Sequence, residues 1–411
     1  MSKALPVALR VGILTFHWTY HIGALLQTFA LYNVLRSHFN SLVINFLPRL
    51  AVQVMPTINV LKAVKKYRGN GVGSTLKGFL GEAVNYMLWF TTERRREMYH
   101  RQFLKMLNLT SEITTLRELQ ENLRYFDVVV VGSDQVWRPD FLPYADYAYL
   151  LPFKLEETKK VAYAASFGVD NLNAIPGDLL AMYSRSLRDF VRISIREQSH
   201  IPWVSKLVGV NAEHALDPTF LMGASFWKSL ALRPDLDGLK DGDFIFIYNL
   251  EFEMIKSMEP LLTSLSRRGF QLVAYRTPHL FPLILGASDI KYYAKLKRKT
   301  GIVFLGFIDP FEFLYLIAES KYVITDSYHG TIFSIIFEKN FISISPRKTS
   351  IRILDLLGLM GLEERVAHRI NEVWKKLDEE IEYRNVRRRI EFHRRRSYDF
   401  LISAVKDYGR L

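Results

Sequence analysis

Cysteine is absent from all 411 residues, which excludes disulfides, thiolate zinc sites and a cysteine nucleophile. Long apolar runs are missing too, for no stretch reaches the roughly 20 residues that a membrane-spanning helix requires. The opening MSKALPVALRVGILTF carries few charges and passes into a predicted strand without a small-residue cleavage site. It does not read as a secretory signal, and the expected location is the cytoplasm. No GxGxxG, P-loop, GxSxG or HExxH pattern occurs, which disfavours dehydrogenase, nucleotide triphosphatase, serine hydrolase and zinc protease readings.

What is present is an ordinary globular balance, 49% hydrophobic and 24% charged, in a chain long enough for two separate cores. Acidic residues are the minority, 42 against 55 Lys and Arg, giving a net charge of +13. Such a balance favours anionic partners. The excess collects in Lys62 to Arg101 and in the tail Arg384 to Arg396, RNVRRRIEFHRRR. A solvated basic face is one reading of these segments, and peripheral contact with an anionic membrane surface is another. Zinc-finger, RNP-type and helix-turn-helix signatures do not accompany the charge, so nucleic acid is not an expected partner.

Short β-branched runs alternate with amphipathic stretches, the pattern of βα units feeding a parallel sheet covered on both faces. Strands are expected at Leu9 to Phe16, Leu42 to Phe46, Asp127 to Val131, Val161 to Phe167 and Ile193 to Arg196. A second series follows at Phe244 to Tyr248, Gln271 to Tyr275, Ile302 to Leu305, Tyr322 to Thr325 and Phe341 to Ser345. Helices are expected at Ala24 to His38, Gln198 to Leu207, Glu253 to Arg267, Pro310 to Glu319, Gly330 to Phe337 and Ile351 to Leu357. The polar stretch Leu232 to Asp243 separates the two series. The organisation is therefore an N-terminal domain over 1–235 with a basic helical insert at about 50–108, a C-terminal domain over 240–375, and a basic C-terminal helix over 376–411.

In open parallel sheets ligands bind beyond the carboxyl ends of the strands, so the polar residues after each strand are the candidates. The valine run Val128 to Val131 leads into Gly132-Ser133-Asp134-Gln135-Val136-Trp137, which sets a hydroxyl and a carboxylate beside an aromatic platform. Asp134 can equally cap a helix or close an Asx turn. Asp326-Ser327-Tyr328-His329-Gly330-Thr331 reads as strand, polar turn and helix start, where backbone N–H groups and the positive end of a helix dipole suit a phosphate. His329 adds a proton carrier there, although a histidine bonded into a capping turn and Ser327 as a plain N-cap are the structural alternatives. Arg196 emerges at a strand end and can pair with a carboxylate or phosphate, with Glu197 as a competing partner. Arg347, Lys348 and Arg352 flank a later helix start. The first junction, Thr15 to Gly23, offers His17, Trp18 and His21 ahead of a helix carrying Gln27, and sugars stack on such rings. His17 and His21 are four apart, but a loop without a nearby carboxylate presents no fixed ligand face, so no metal is expected.

Together these segments resemble the polysaccharide pyruvyl transferase family: GALLQ from Gly23, GSDQVW from Gly132, YAASFG from Tyr163, SIRE from Ser194, LDPTFL from Leu216 and DSYHGTIFSIIF from Asp326. The likeness runs over about residues 10–365. Two positions depart from the family pattern, His21 where an asparagine is usual and Ile351 where a serine is usual. The resemblance implies an α/β fold of two Rossmann-like domains facing a cleft, similar to type-B glycosyltransferases. It further implies transfer of pyruvate from phosphoenolpyruvate onto two sugar hydroxyls as a cyclic ketal, in cell-surface polysaccharide biosynthesis and without a cofactor. His329, Asp134 and Arg196 are then the expected catalytic residues. Ser327, Gly330, Thr331, Lys348 and Arg352 are expected to bind the donor, and His17, Trp18, His21, Gln27, Ser133 and Trp137 the saccharide acceptor. A nucleotide-sugar glycosyltransferase and a non-catalytic membrane-surface subunit are the competing readings.

Overall fold

The computed structural model describes residues 9–48, 94–209, 211–248, 252–275, 287–344 and 351–407. Within them the chain forms two six-stranded sheets. The first contains β1 (Arg10–Leu14), β2 (Asn40–Val43), β3 (Val128–Asp134), β4 (Lys159–Ala165), β5 (Phe190–Ile195) and β6 (Glu213–His214), in the order β2-β1-β3-β4-β5-β6. The second contains β7 (Phe244–Tyr248), β8 (Gln271–Tyr275), β9 (Val303–Leu305), β10 (Tyr322–Thr325), β11 (Asn340–Ile344) and β12 (Val366–Ala367), in the order β12-β11-β10-β7-β8-β9. Every pairing is parallel. The physical cause lies in the central strands, where VVVVGSD in β3 and FIFIY in β7 are buried at every position. Helices must cover both faces of such strands, and the crossovers that carry them leave neighbouring strands parallel.

The expected strand series is present with shifted ends. β3 runs three residues past Val131, so Gly132, Ser133 and Asp134 belong to the strand rather than to a turn after it. The edge strands β6 and β12 have two residues each, too short to leave a periodic signal. The helix expected over Glu253 to Arg267 is two helices, Phe252–Ser257 and Glu259–Arg267. Pro260, in the first turn of the second, lacks the N–H that would bond back into a continuous helix. Of the basic insert, 50–93 lies outside the described residues, while 94–104 is helical.

One apolar cluster crosses between the sheets. It joins the helix Ile22–Arg36, the helices Pro310–Glu319 and Tyr328–Ile336, and the C-terminal helix Tyr383–Lys406. The last of these bridges both halves. Ser397 Oγ accepts from the Leu216 N–H at 2.9 Å, and Tyr383 Oη donates to the Lys339 carbonyl at 2.6 Å. Trp227 stands near the centre, fully buried, its Nε1 donating to the Thr219 carbonyl at 2.9 Å and its ring 5.2 Å from Phe333 and 6.4 Å from Phe29. Trp227→Ala leaves a cavity against both halves and is expected to cost about 3–5 kcal/mol. Urea unfolding followed by circular dichroism measures this as a lowered midpoint.

Candidate active site

Each sheet has a point where its strand order reverses, between β1 and β3 in the first and between β7 and β10 in the second. Side chains beyond the carboxyl ends at these two points meet around Asp217, which follows β6 and is completely buried. Its Oδ1 caps a short 3-10 turn, accepting from the Thr219 N–H at 3.1 Å and the Thr219 hydroxyl at 2.8 Å. Its Oδ2 accepts from Arg196 Nη1 at 3.1 Å and Ser133 Oγ at 3.3 Å, and lies 3.4 Å from His329 Nε2. Arg196 comes from the first half of the chain and His329 from the second. The two therefore converge from opposite halves of the chain, and a carboxylate joins them.

Burial opposes the charge on Asp217, but His329, Arg196 and the Thr219 N–H outweigh it and hold the carboxyl at about 2. Asp134 accepts from Arg196 Nη2 at 3.2 Å. Burial likewise works against its ionisation, and Arg196, His329 and His21 overcome that, so its pKa lies below the ordinary carboxylate value. For Arg196 the cost of burial is exceeded by the fields of Tyr328, Asp134, Glu197 and Asp217, which raise its pKa further. Glu197 is completely buried, accepts from Ser166 Oγ, and lies 3.8 Å from Arg196 Nε. The competing structural partner of Arg196 is thus real, and it is one of three carboxylates.

Tyr328 is buried beneath two guanidinium groups, with Arg196 4.3 Å and Arg352 5.8 Å from its ring centre. Arg352 makes no ion pair with any described residue, and its Nε is buried without a hydrogen-bond partner. Burial, with Arg196 close by, lowers its pKa to about 10. The Nε2 of His329 is buried and unbonded as well. A second guanidinium thus stands beside Arg196 with hydrogen-bonding capacity unspent.

The remaining candidates fall into two groups. Ser327 is the N-cap of Tyr328–Ile336, its Oγ accepting from the Gly330 N–H at 3.3 Å, and Thr331 N–H donates to the Ser327 carbonyl at 2.9 Å. Thr331 Oγ1 shares a 2.6 Å hydrogen bond with Ser343. The turn expected to cradle phosphate therefore spends the N–H groups of Gly330 and Thr331 on its own cap. Lys348 lies outside the described residues.

On the expected acceptor side, Trp137 is corrected from an aromatic platform to a core residue. It is fully buried, donates from Nε1 to the Tyr149 carbonyl at 3.1 Å, and packs against Phe167 and Phe190. His17 is buried with both ring nitrogens bonded, to Thr15 O at 3.2 Å and Asn45 Oδ1 at 3.0 Å. Burial lowers its pKa against those bonds. Gln27 is also buried, and its Nε2 donates to Thr15 Oγ1 at 2.9 Å, which donates to the Ser133 carbonyl at 3.3 Å. Ser133 Oγ contacts the Ala164 carbonyl at 3.1 Å as well as Asp217. These four brace the site from inside. Trp18 and His21 keep part of their surface exposed, Trp18 donating to Tyr149 Oη at 3.0 Å. Among the described residues no group of three or more His, Asp or Glu side chains is placed to hold a metal ion.

Two glycines are dictated by contact. A Cβ at Gly23 would stand 2.1 Å from Nδ1 of His329, so the imidazole seats directly on the first turn of Ile22–Arg36. At Gly132, φ is +133° and a Cβ would lie 2.1 Å from the Tyr163 carbonyl oxygen. Asp217, Tyr328 and Gly23 were missed as site residues. Asp217 was within reach as a polar junction, but β6 is too short to announce the strand before it.

A protein carrying these residues at the facing carboxyl edges of two parallel-sheet α/β halves has the architecture of type-B glycosyltransferases and nucleotide-sugar 2-epimerases. The chain spans 97% of itself and 97% of a putative UDP-N-acetylglucosamine 2-epimerase from Listeria monocytogenes, with TM-score 0.54 at 11% identity. A UDP-GlcNAc 2-epimerase from Neisseria meningitidis bound to UDP-GlcNAc gives 0.53 at 9% identity, over 97% of this chain and 99% of that one. UGT73P12 from Glycyrrhiza uralensis, complexed with glycyrrhetinic acid 3-O-monoglucuronide, gives 0.52 at 10% identity, over 98% and 96%. At such identities the likeness is one of fold. No protein with a curated description matches. The family described as polysaccharide pyruvyl transferase matches residues 21–348, and the chain belongs to that family.

Two outcomes are expected of this geometry. Gly23→Ala drives a methyl group into His329 and should cost about 1–3 kcal/mol, most of it recovered in the Gly23→Ala, His329→Ala double variant, as thermal unfolding of all four proteins measures. The carboxyl of Asp217 sits below its unfolded value of 3.8, so its contribution is present above about pH 4 and is lost as pH falls towards 2. Asp217→Asn removes that dependence. Its stability curve over this window should be flatter than the wild type's by on the order of 2 kcal/mol.

Proposed function

We propose that this protein transfers pyruvate from phosphoenolpyruvate to two hydroxyls of a saccharide, forming a cyclic ketal and releasing phosphate. The observation that carries the reading is Arg352, a half-buried guanidinium close to Arg196 that no described carboxylate pairs, facing the same Tyr328 ring. Bringing two guanidinium groups together is costly unless an anion joins them. Phosphoenolpyruvate offers two anionic groups, a carboxylate and a phosphate, and guanidinium binds both in the bidentate mode.

His329 is the general acid in this reading. Its Nε2 lies 3.4 Å from Asp217 Oδ2, at the point where the two halves of the chain meet. Delivery of a proton to the donor's methylene carbon leaves a cationic carbon that a sugar hydroxyl attacks. The carbon–oxygen bond to phosphate then breaks, and the second hydroxyl closes the ring. Asp134 takes the proton of the first hydroxyl, and that of the second restores the proton His329 gave up. The depressed pKa of Asp134 makes it a weak base, suited to accept its proton only as the new bond to carbon forms. Trp18 and His21, at the partly exposed edge of the first junction, are the acceptor contacts that remain after Trp137, His17, Gln27 and Ser133 are assigned to support. The reaction draws on no cofactor. It is placed in the cytoplasm, with the basic segments towards the inner face of the membrane and a lipid-linked saccharide as a compatible acceptor.

The fold neighbours do not favour a nucleotide-sugar transferase, since identities near 10% carry the fold alone. The test is phosphate release from phosphoenolpyruvate in the presence of lipid-linked saccharides. His329→Ala should lower the rate at least about 100-fold with unchanged circular dichroism. Arg352→Gln should raise KM for phosphoenolpyruvate about tenfold or more. Full activity of the His329 variant removes the imidazole from the mechanism, and thermal stabilisation by a nucleoside diphosphate but not by phosphoenolpyruvate overturns the reading.

A further inference from the structure

A cavity of about 280 Å³ lies where the C-terminal helix Tyr383–Lys406 passes the edge strand β6. Its polar lining is Gln198, Glu213, His214, His393 and Arg396, and it shares no lining residue with the Asp217 cluster. We propose that this cavity is a second anion site, taking a phosphate monoester.

The geometry comes from register. β6 pairs with β5 so that His214 lies opposite Ile195 and Glu213 opposite Ser194, which sets the His214 ring against the Arg196 main chain. On the facing helix Arg389, His393 and Arg396 recur at helical spacing and share one side. The His214 and His393 rings meet edge to face with centres 5.9 Å apart. Glu213 is the one carboxylate of the lining, and it is bound to Arg192. The cavity thus presents two imidazoles, a guanidinium and an amide, with its acidic group already spent. Donors arriving from a strand edge, a helix and a turn suit the four oxygens of a tetrahedral dianion better than a planar carboxylate.

The imidazoles report the same imbalance. Burial, then His393 and Arg396, lower the His214 pKa to about 4 against the Arg196 main chain, and burial with Arg396 and Arg389 lowers that of His393. A dianion between them reverses the sign of the field, so ligand and protons bind together. Both a soluble phosphate ester and the headgroup of an anionic lipid carry this chemistry. Phe392, 57% exposed and 5.1 Å from the His393 ring, is an apolar side chain next to the lining that a bilayer could take up.

The test is histidine ring NMR on the full-length protein, with inorganic phosphate as one probe and vesicles of phosphatidic acid or phosphatidylcholine as the others. Phosphate is expected to raise the titration midpoints of His214 and His393 by about one pH unit while leaving the doubly bonded His17 unmoved. Arg396→Gln should weaken that effect about tenfold in phosphate concentration. Displacement by phosphate but not by phosphatidic acid assigns a soluble ester, and displacement by phosphatidic acid vesicles assigns a lipid headgroup. If neither probe moves the two rings, or if Arg396→Gln responds as the wild type does, the site is disproved.

Discussion

Most of the molecule is arranged so that one carboxylate, that of Asp217, can remain ionised out of contact with water. An isolated buried carboxylate is expensive, and here the cost is offset by an arginine from β5, an imidazole from the helix after β10, a serine hydroxyl from β3 and a capping N–H of its own turn. Those donors come from both sheets. The relative position of the two halves at this point is therefore set by charge compensation as well as by the apolar cluster that crosses between them. His329 can reach the carboxylate because nothing but hydrogen occupies the Gly23 position beneath it.

Support for that carboxylate extends inward through groups that a surface reading assigns to ligand binding. Gln27 holds Thr15, Thr15 holds the Ser133 carbonyl, and Ser133 holds Asp217, a line of hydrogen bonds from the first helix to the centre of the site. On the other side Ser166 ties down Glu197, and Glu197 stands beside Arg196. Three carboxylates around the guanidinium limit its motion and fix its orientation. Arg352 has no such ties among the described residues, and so it is the guanidinium of the cluster that no carboxylate pairs.

The basic character of the chain divides in the same manner. Along the C-terminal helix Arg387 is bound to Glu338 and Arg394 to Glu391, so part of the RNVRRRIEFHRRR charge is consumed within the fold. Arg389 and Arg396 instead flank the His214 and His393 pair, where positive charge accumulates without compensation. Net charge alone cannot separate these roles, because the distinction depends on which carboxylates the tertiary structure delivers to which arginine.

By itself the sequence determined the fold class, because buried parallel strands require unbroken apolar runs such as VVVV and FIFIY and these are local facts. It also determined that the DSYHG and SIRE segments stand at strand ends, and its ordered motifs identified the family. The tertiary structure alone decided which candidates meet around Asp217 and which are sealed into the surrounding core. Trp137 and His17 are polar-tipped residues at a strand end by sequence and sealed core residues in space. Asp217 is only one letter of LDPTFL by sequence and the centre of the cluster in space, since its charge partners are 21 and 112 positions away. Long-range pairing of this kind leaves no periodic trace in the chain, and so only the packed molecule records it.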